Sequence, residues 1–224
     1  MSVLLIANRE DPEGGFVEEA LASRGLAVRR AWRGEALPAL DDDLAAVVAL
    51  GSEWSVYWDE VADAVAAEAA LLRQATASGV AVLGICFGAQ LLAHALGGSV
   101  ERAPAPELGW LLVDTDVADV IPSGPWVQWH ADRFTVPPGA RELARSAAGP
   151  QAFVAGSAVG VQFHPETTPA TLDRWLGSMA PLVQTAGADP EQLRAQSARY
   201  GEQARQRADD LVGALLGGRF AALA

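Results

Sequence analysis

A chain of 224 residues, half of them hydrophobic, is long enough for one domain with a sizeable core, which excludes disorder as its resting state. Its 16 basic residues, all arginine, oppose 28 acidic ones to give a net charge of -12, a balance that repels phosphate backbones and excludes a broad nucleic-acid-binding face. A single cysteine, Cys86, excludes an internal disulfide and any multi-cysteine metal framework, so neither a metal nor a cofactor is expected.

In chain order, MSVLLIANRED opens with a short apolar run and no basic leader. It reads as a first strand and not as a signal peptide, and the protein is expected in the cytoplasm. The apolar runs SVLLIA, LAAVVAL and VAVLGI alternate with helix-compatible segments, Glu18 to Ser23 and Asp59 to Ala77. That order predicts an α/β fold, a parallel sheet with helices on both faces. From Gln74 to Val100 there is no charged residue, and a hydropathy window flags this stretch as a membrane span. Five glycines, Gln90 and His94 interrupt it, and its texture changes from VAVLGI to AQLLAHAL. The reading is strand, sharp turn, helix, with Cys86 at the turn and no membrane association.

After Gly98 short strand candidates follow one another between Pro and Gly punctuation: LGWLLVDT, GPWVQWH, ARELARS, QAFVAG and AVGVQFH. This half predicts mixed or antiparallel sheet, with a hairpin turning at Gly156-Ser157. Near the end, Asp189, Pro190 and Gln192 form a helix start. Apolar Leu193, Ala204, Ala208, Leu211, Val212 and Leu215 recur at helical spacing until Gly217-Gly218 stops the helix. The organisation expected is a domain over 1–185 and a helical extension over 186–224, packed on that domain or forming a homodimer or partner contact.

GICFG is the nucleophile-elbow pattern G-x-S-x-G with sulfur in place of the hydroxyl. Such a turn pushes its central side chain out at the N-terminus of the following helix, where unpaired N–H groups and the dipole favour negative charge. The same N–H groups suit an oxyanion. Considered alone, a cysteine is as often a small buried hydrophobe. Of three histidines, His94 lies on the helix that Cys86 begins, too far along its axis to act as base. His130 and His164 each end a candidate strand, and only His164 has a carboxylate close by, in HPE. Pro165 restrains the backbone between His164 and Glu166, so Cys86, His164 and Glu166 form a candidate triad.

The two strings GVAVLGICFGAQLLAHALGG and VGVQFHPE together resemble the class I glutamine amidotransferases, most of all the glutaminase domain of GMP synthetase and its free-standing relatives. The resemblance covers most of residues 1–185 and implies a flavodoxin-like three-layer sheet. It implies that Cys86 attacks the side-chain amide of L-glutamine, that His164 relays the proton to ammonia and that Glu166 orients His164. It assigns Gln90 to the substrate and the N–H of Phe87 to the oxyanion hole. LGSEWSVYWDE falls where the family has a Gly-Gly-Pro loop, which places Gly51 in the pocket and makes the N–H of Ser52 the second oxyanion donor. A serine there is harmless if φ stays negative and damaging if positive φ is required. In PELGW, Glu107 and Gly109 match residues that shape the glutamine pocket, and in WHADRF, His130 matches a binding segment.

The function implied is hydrolysis of glutamine to glutamate and ammonia through a γ-glutamyl thioester. No P-loop for activating an acceptor is visible, so the ammonia is expected to serve a separate synthetase or acceptor protein. Two other readings stay open: hydrolysis of γ-glutamyl amides or peptides by the same triad, and a non-catalytic regulatory protein that keeps the fold.

Overall fold

The computed structural model describes residues 1–180 and 182–224. Strands β1 (Ser2–Ala7), β2 (Ala27–Trp32), β3 (Leu44–Ala49) and β4 (Ala81–Ile85) alternate with helices α1 (Gly15–Ser23) and α2 (Ala62–Ala77), and α3 (Phe87–Ala95) follows β4. β5 (Val100–Leu111), β6 (Asp114–Thr115), β7 (Trp126–Phe134), β8 (Arg141–Ser146), β9 (Gly149–Ala155) and β10 (Ala158–Val161) come next. Three helices complete the chain: α4 (Pro169–Ser178), α5 (Ala180–Thr185) and α6 (Pro190–Leu216).

The main sheet has the order β2-β1-β3-β4-β10-β9-β8-β6. From β2 to β10 all neighbours are parallel, and β9, β8 and β6 add antiparallel strands at one side. The parallel part is the flavodoxin-like doubly wound arrangement with antiparallel additions. β5 and β7 pair separately as an antiparallel ribbon. The hairpin between β9 and β10 turns at Gly156, whose φ is +57°.

Strand periodicity makes the layers. In β1, Val3 and Leu5 point into one apolar cluster with Val17 and Leu21 of α1 and Leu211 and Val212 of α6, while Leu4 and Ile6 point into another with Leu72 of α2 and Leu91 of α3. β3 repeats this, with Val48 on the first side and Val47 on the second. Strands covered on both faces read as continuous apolar runs, which is why SVLLIA and LAAVVAL stand out in the sequence. β2 does not, because Arg29 and Arg30 expose this edge strand to solvent.

α6 begins where Asp189 accepts a hydrogen bond from the N–H of Glu191 at 2.9 Å, with Pro190 in the first turn, and ends at Gly217. Its apolar stripe, from Leu193 to Leu215, enters the same cluster as α1 and β1. Among the described residues no helix is long and apolar enough to cross a membrane.

The order reverses between β1 and β3, and ligands in such sheets bind in the crevice outside the carboxyl ends of the strands there. Asn8 after β1, Leu50 and Gly51 after β3, Cys86 after β4 and His164 after β10 all stand at that edge.

Candidate active site

Cys86 is the residue between β4 and α3, and its φ of +50° is the only positive one among described non-glycine residues. Such a conformation costs on the order of 1–3 kcal/mol and needs support from its surroundings. Support comes from the hydrogen bond of its N–H to Val161 O at 2.8 Å and from the first helical bond, Gln90 N–H to its carbonyl at 2.9 Å. The flanking glycines supply room: a Cβ on Gly88 would lie 2.0 Å from Ala49 O, and one on Gly84 would lie 2.5 Å from Gly88 O. The strain therefore falls on the cysteine, and the glycines let α3 sit close on the sheet.

His164 follows β10, with its N–H bonded to Val127 O at 2.8 Å. Its Nδ1 lies 2.7 Å from Oε1 of Glu166, and its ring packs edge-on against Trp175 of α4, centroids 4.8 Å apart. Glu166 is fixed through its backbone as well, since its carbonyl accepts the N–H of Phe16 at 3.0 Å at the start of α1. Nε2 of His164 has no hydrogen-bond partner among the described residues; the Cys86 sulfur, whose one hydrogen-bond contact is Trp129 O at 4.0 Å, is close enough to act on the ring's charge. Cys86, His164 and Glu166 are 5, 5 and 3% exposed. Burial opposes an imidazolium here, yet the negative charges of Glu166 and the Cys86 sulfur, with the hydrogen bond to Glu166, outweigh it and raise the His164 pKa well above the usual histidine value.

Gly51 lies over this pair. A Cβ there would stand 3.1 Å from Cε1 of His164 and 3.6 Å from Cβ of Cys86, so glycine keeps the loop close to the imidazole and to the cysteine side chain. Ser52 does not have positive φ, which makes a side chain at this position compatible with the loop. Its hydroxyl accepts hydrogen bonds from Nδ2 of Asn8 at 3.0 Å and from the N–H of Trp54 at 3.1 Å. Phe87 is the first residue of α3, and the N–H groups of a first turn have no intrahelical acceptor.

A cavity of about 600 Å³ opens over the sulfur. Leu50, Gly51, Ser52, Gln90, Trp129 and His164 border its floor, and Trp54, Trp58, Trp175, Met179 and Leu182 supply apolar walls. Acidic Glu10, Asp11, Glu13 and Glu53 ring the mouth with Arg102 and Arg174. Arg174 is held by Asp11 at 2.5 Å and by Glu13 at 2.9 Å. Nε2 of Gln90 donates to Asp132 O at 3.3 Å and to Oε1 of Gln162 at 3.2 Å. Asp132 is in turn bonded to Ser55 and, at 3.0 Å, to the hydroxyl of Tyr57. The indole of Trp129, bonded to Sδ of Met179 at 3.0 Å, forms wall and does not fill the cavity.

Two of the expected pocket residues lie outside this cavity. Glu107 does not border the cavity: it sits opposite His130 in the β5–β7 ribbon, and its Oε2 is taken by Nε2 of His130 at 3.2 Å, Ser146 Oγ at 3.0 Å and Gln151 Nε2 at 2.9 Å. Gly109 does not border it either; its φ is +113°, and a Cβ there would press to 3.0 Å on Leu193 of α6. His130 borders the cavity, but both ring nitrogens are occupied, Nδ1 by Asp132 O at 3.0 Å and Nε2 by Glu107.

The walls from α4 and α5 were not anticipated from sequence. A signal for α4 was present in TTPATL, where Thr168 caps the helix by accepting from the N–H of Thr171 at 3.1 Å and Pro169 begins it. That helix carries Trp175 onto His164.

The family model for glutamine amidotransferase class-I matches residues 59–176. Among curated relatives, a GMP synthase (glutamine-hydrolysing) of Thermomicrobium roseum is 45% identical over 97 residues, 40% of this chain and 18% of that protein. One of Aeropyrum pernix is 39% identical over 161 residues, 64% of this chain and 28% of that protein. The chain thus spans less than a third of the length of these relatives. A solved glutamine amidotransferase from Thermotoga maritima superposes with a TM-score of 0.88 at 28% identity, covering 96% of this chain and 98% of that one. A second, from Methylobacillus flagellatus, gives 0.84 at 25% identity, covering 97% and 94%. With this match over more than half its length, the chain belongs to the class I glutamine amidotransferases.

Proposed function

We propose that this protein hydrolyses L-glutamine to L-glutamate and ammonia with Cys86, His164 and Glu166, in a domain spanning 1–185 that residues 186–224 extend. The observation that carries this is the state of His164, anchored at Nδ1 on Glu166, without a hydrogen-bond partner at Nε2, and close enough to the Cys86 sulfur for that sulfur to act on its charge. In the first half-reaction the Cys86 thiolate adds to the carbon of the side-chain amide, forming a C–S bond and an oxyanion. The N–H groups of Phe87 and Ser52 hold that charge, with Gly51 and Gln90 bordering the substrate. The C–N bond breaks as nitrogen takes the proton from Nε2 of His164, and ammonia leaves. Water then adds to the thioester and gives a proton to Nε2. The C–S bond breaks, glutamic acid leaves and ionises in water, and the thiolate–imidazolium pair is restored.

Two relatives are named GMP synthases (glutamine-hydrolysing). By that likeness the ammonia serves a synthetase or acceptor protein. Purified protein is expected to release ammonia from glutamine and to gain the mass of a diazo-ketone glutamine analogue on Cys86. Equal ammonia release by Cys86→Ala, or labelling elsewhere than Cys86, counts against the triad.

A second reading has the cavity in its favour. About 600 Å³ lies within the range that encloses drug-sized ligands and exceeds what a single amino acid needs. A γ-glutamyl amide with a larger amine fits the same chemistry. A higher kcat/KM for any such amide than for glutamine selects this reading.

A further inference from the structure

Behind the oxyanion loop lies a buried ion pair that the reaction above does not use. Arg33 follows β2, Glu68 is on α2, and the two side chains are each 1% exposed. A guanidinium carries five N–H donors in a fixed plane, and here each has an acceptor. Nε and Nη2 reach the two oxygens of Glu68 at 2.8 and 2.9 Å. Nη2 also reaches Leu50 O at 3.0 Å, and Nη1 reaches Gly51 O at 3.1 Å and Oδ1 of Asn8 at 2.7 Å. The flat group lies over the Phe87 ring, 4.6 Å from its centroid.

Stability alone gives such a pair no reason to exist, because well-packed apolar residues commonly replace a buried ion pair without loss. What distinguishes this pair is what it touches. Its contacts are the two carbonyls of the oxyanion loop, the asparagine that holds the Ser52 hydroxyl and the ring of the residue that supplies the other oxyanion donor. A trans peptide is planar, so its carbonyl and the next N–H point to opposite sides. Holding Gly51 O on Arg33 therefore turns the N–H of Ser52 away from Arg33, and holding Leu50 O does the same for the N–H of Gly51. Gly51 itself lies against His164 and Cys86, a Cβ there standing 3.1 Å from Cε1 of the one and 3.6 Å from Cβ of the other.

We propose that Arg33, clamped by Glu68, is the positioning residue of the oxyanion hole: it fixes the peptide planes from Leu50 to Ser52 and seats Phe87, so that both N–H donors face the oxygen carried by the carbon bonded to sulfur. This rests on the amidohydrolase reading. The interaction matters when charge develops on the oxygen, so its loss lowers kcat and leaves KM nearly unchanged.

The test compares the wild type with two variants. Arg33→Lys keeps the charge but loses the planar fork. The double variant Arg33→Met with Glu68→Leu removes the pair without stranding a buried charge. Ammonia release, urea unfolding and amide hydrogen exchange are measured on each. The expected result for the double variant is a stable fold, kcat lower by about 10- to 100-fold with KM within about two-fold, and faster exchange confined to residues 50–55. Arg33→Lys is expected to fall between it and the wild type. Wild-type kcat in the folded double variant, or unchanged exchange at 50–55, overturns the proposal. If the wild type hydrolyses no γ-glutamyl substrate, the reading of function fails, and the exchange measurement still decides the role of Arg33 in the loop. If the double variant does not fold, Arg33→Lys decides: a kcat loss with unchanged unfolding supports the proposal, and wild-type kcat overturns it.

Discussion

Two buried histidines each meet a glutamate, His164 three residues past β10 of the main sheet and His130 inside β7 of the ribbon, and only His164 keeps a ring nitrogen without a hydrogen-bond partner among the described residues. His164 stands at the edge of the parallel sheet with Glu166 on Nδ1 at 2.7 Å and no hydrogen-bond partner on Nε2, with the Cys86 sulfur acting on its charge. His130, in the antiparallel ribbon, has Glu107 on Nε2 at 3.2 Å and a backbone carbonyl on Nδ1 at 3.0 Å. A histidine between two acceptors is a structural brace. One held by a carboxylate at a single nitrogen, with a thiol nearby, is what the proposed proton relay requires. The difference lies less in the residue pair than in what the second nitrogen is given.

The largest effects break the relay itself. Cys86→Ala removes the atom that forms the thioester, and ammonia release is expected to fall to background in a coupled glutamate dehydrogenase assay. His164→Ala should cost up to about 10⁴-fold in kcat, the upper range for a positioned acid–base group. If the corresponding loss follows His130→Ala instead, the roles assigned to the two histidines are reversed.

Glu166→Gln sharpens the comparison because it spares the ring and removes one charge. The raised His164 pKa means that the folded protein holds this proton more tightly than the unfolded chain. The stabilisation it brings is complete below the ordinary histidine pKa of about 6.5 and is lost as pH rises through the raised folded value. Activity that needs the imidazolium to protonate the leaving amide nitrogen should decline over the same alkaline range. With the glutamate charge gone, the alkaline limb of kcat moves to lower pH, and kcat at its optimum falls by about 10²-fold. A limb that stays in place shows that Glu166 does not set the charge on His164.

How much of this could be read without coordinates follows from how local each signal is. GICFG and HPE carry their geometry within five residues or fewer, and the fold sets both at the carboxyl edge of the sheet, lining one cavity. Arg33 was invisible, because an arginine after a strand that already holds Arg29 and Arg30 reads as solvated. Its burial depends on Glu68, on another element, and on the ring of Phe87. The place of Glu107 was hidden for a related reason. The alternation along β5 does not say which of its sides meets the cavity, and the register with β7 shifts between Arg102 and Glu107. What β5 faces is decided by Ser146 and Gln151, from strands much later in the chain.

The smallest expected effect on catalysis tests that placement directly. Burial pushes the Glu107 carboxyl up, but the hydrogen bonds from His130, Ser146 and Gln151, with the charge of His130, lower its pKa below the usual value. A carboxylate with a depressed folded pKa adds stability above its unfolded pKa, about 4.3, and loses it as pH falls through the lower folded value. Glu107→Ala strips three donors of their acceptor, which costs about 1–3 kcal/mol by the ordinary penalty for unsatisfied buried groups. The variant should therefore unfold at lower urea concentration and lose part of the wild type's acid-side pH dependence. Its kcat and KM for glutamine should stay within about two-fold, since the group lies outside the cavity. A large rise in KM with unfolding unchanged would reverse the assignment: Glu107 would then contact substrate, and the brace in the antiparallel ribbon would belong to the active site after all.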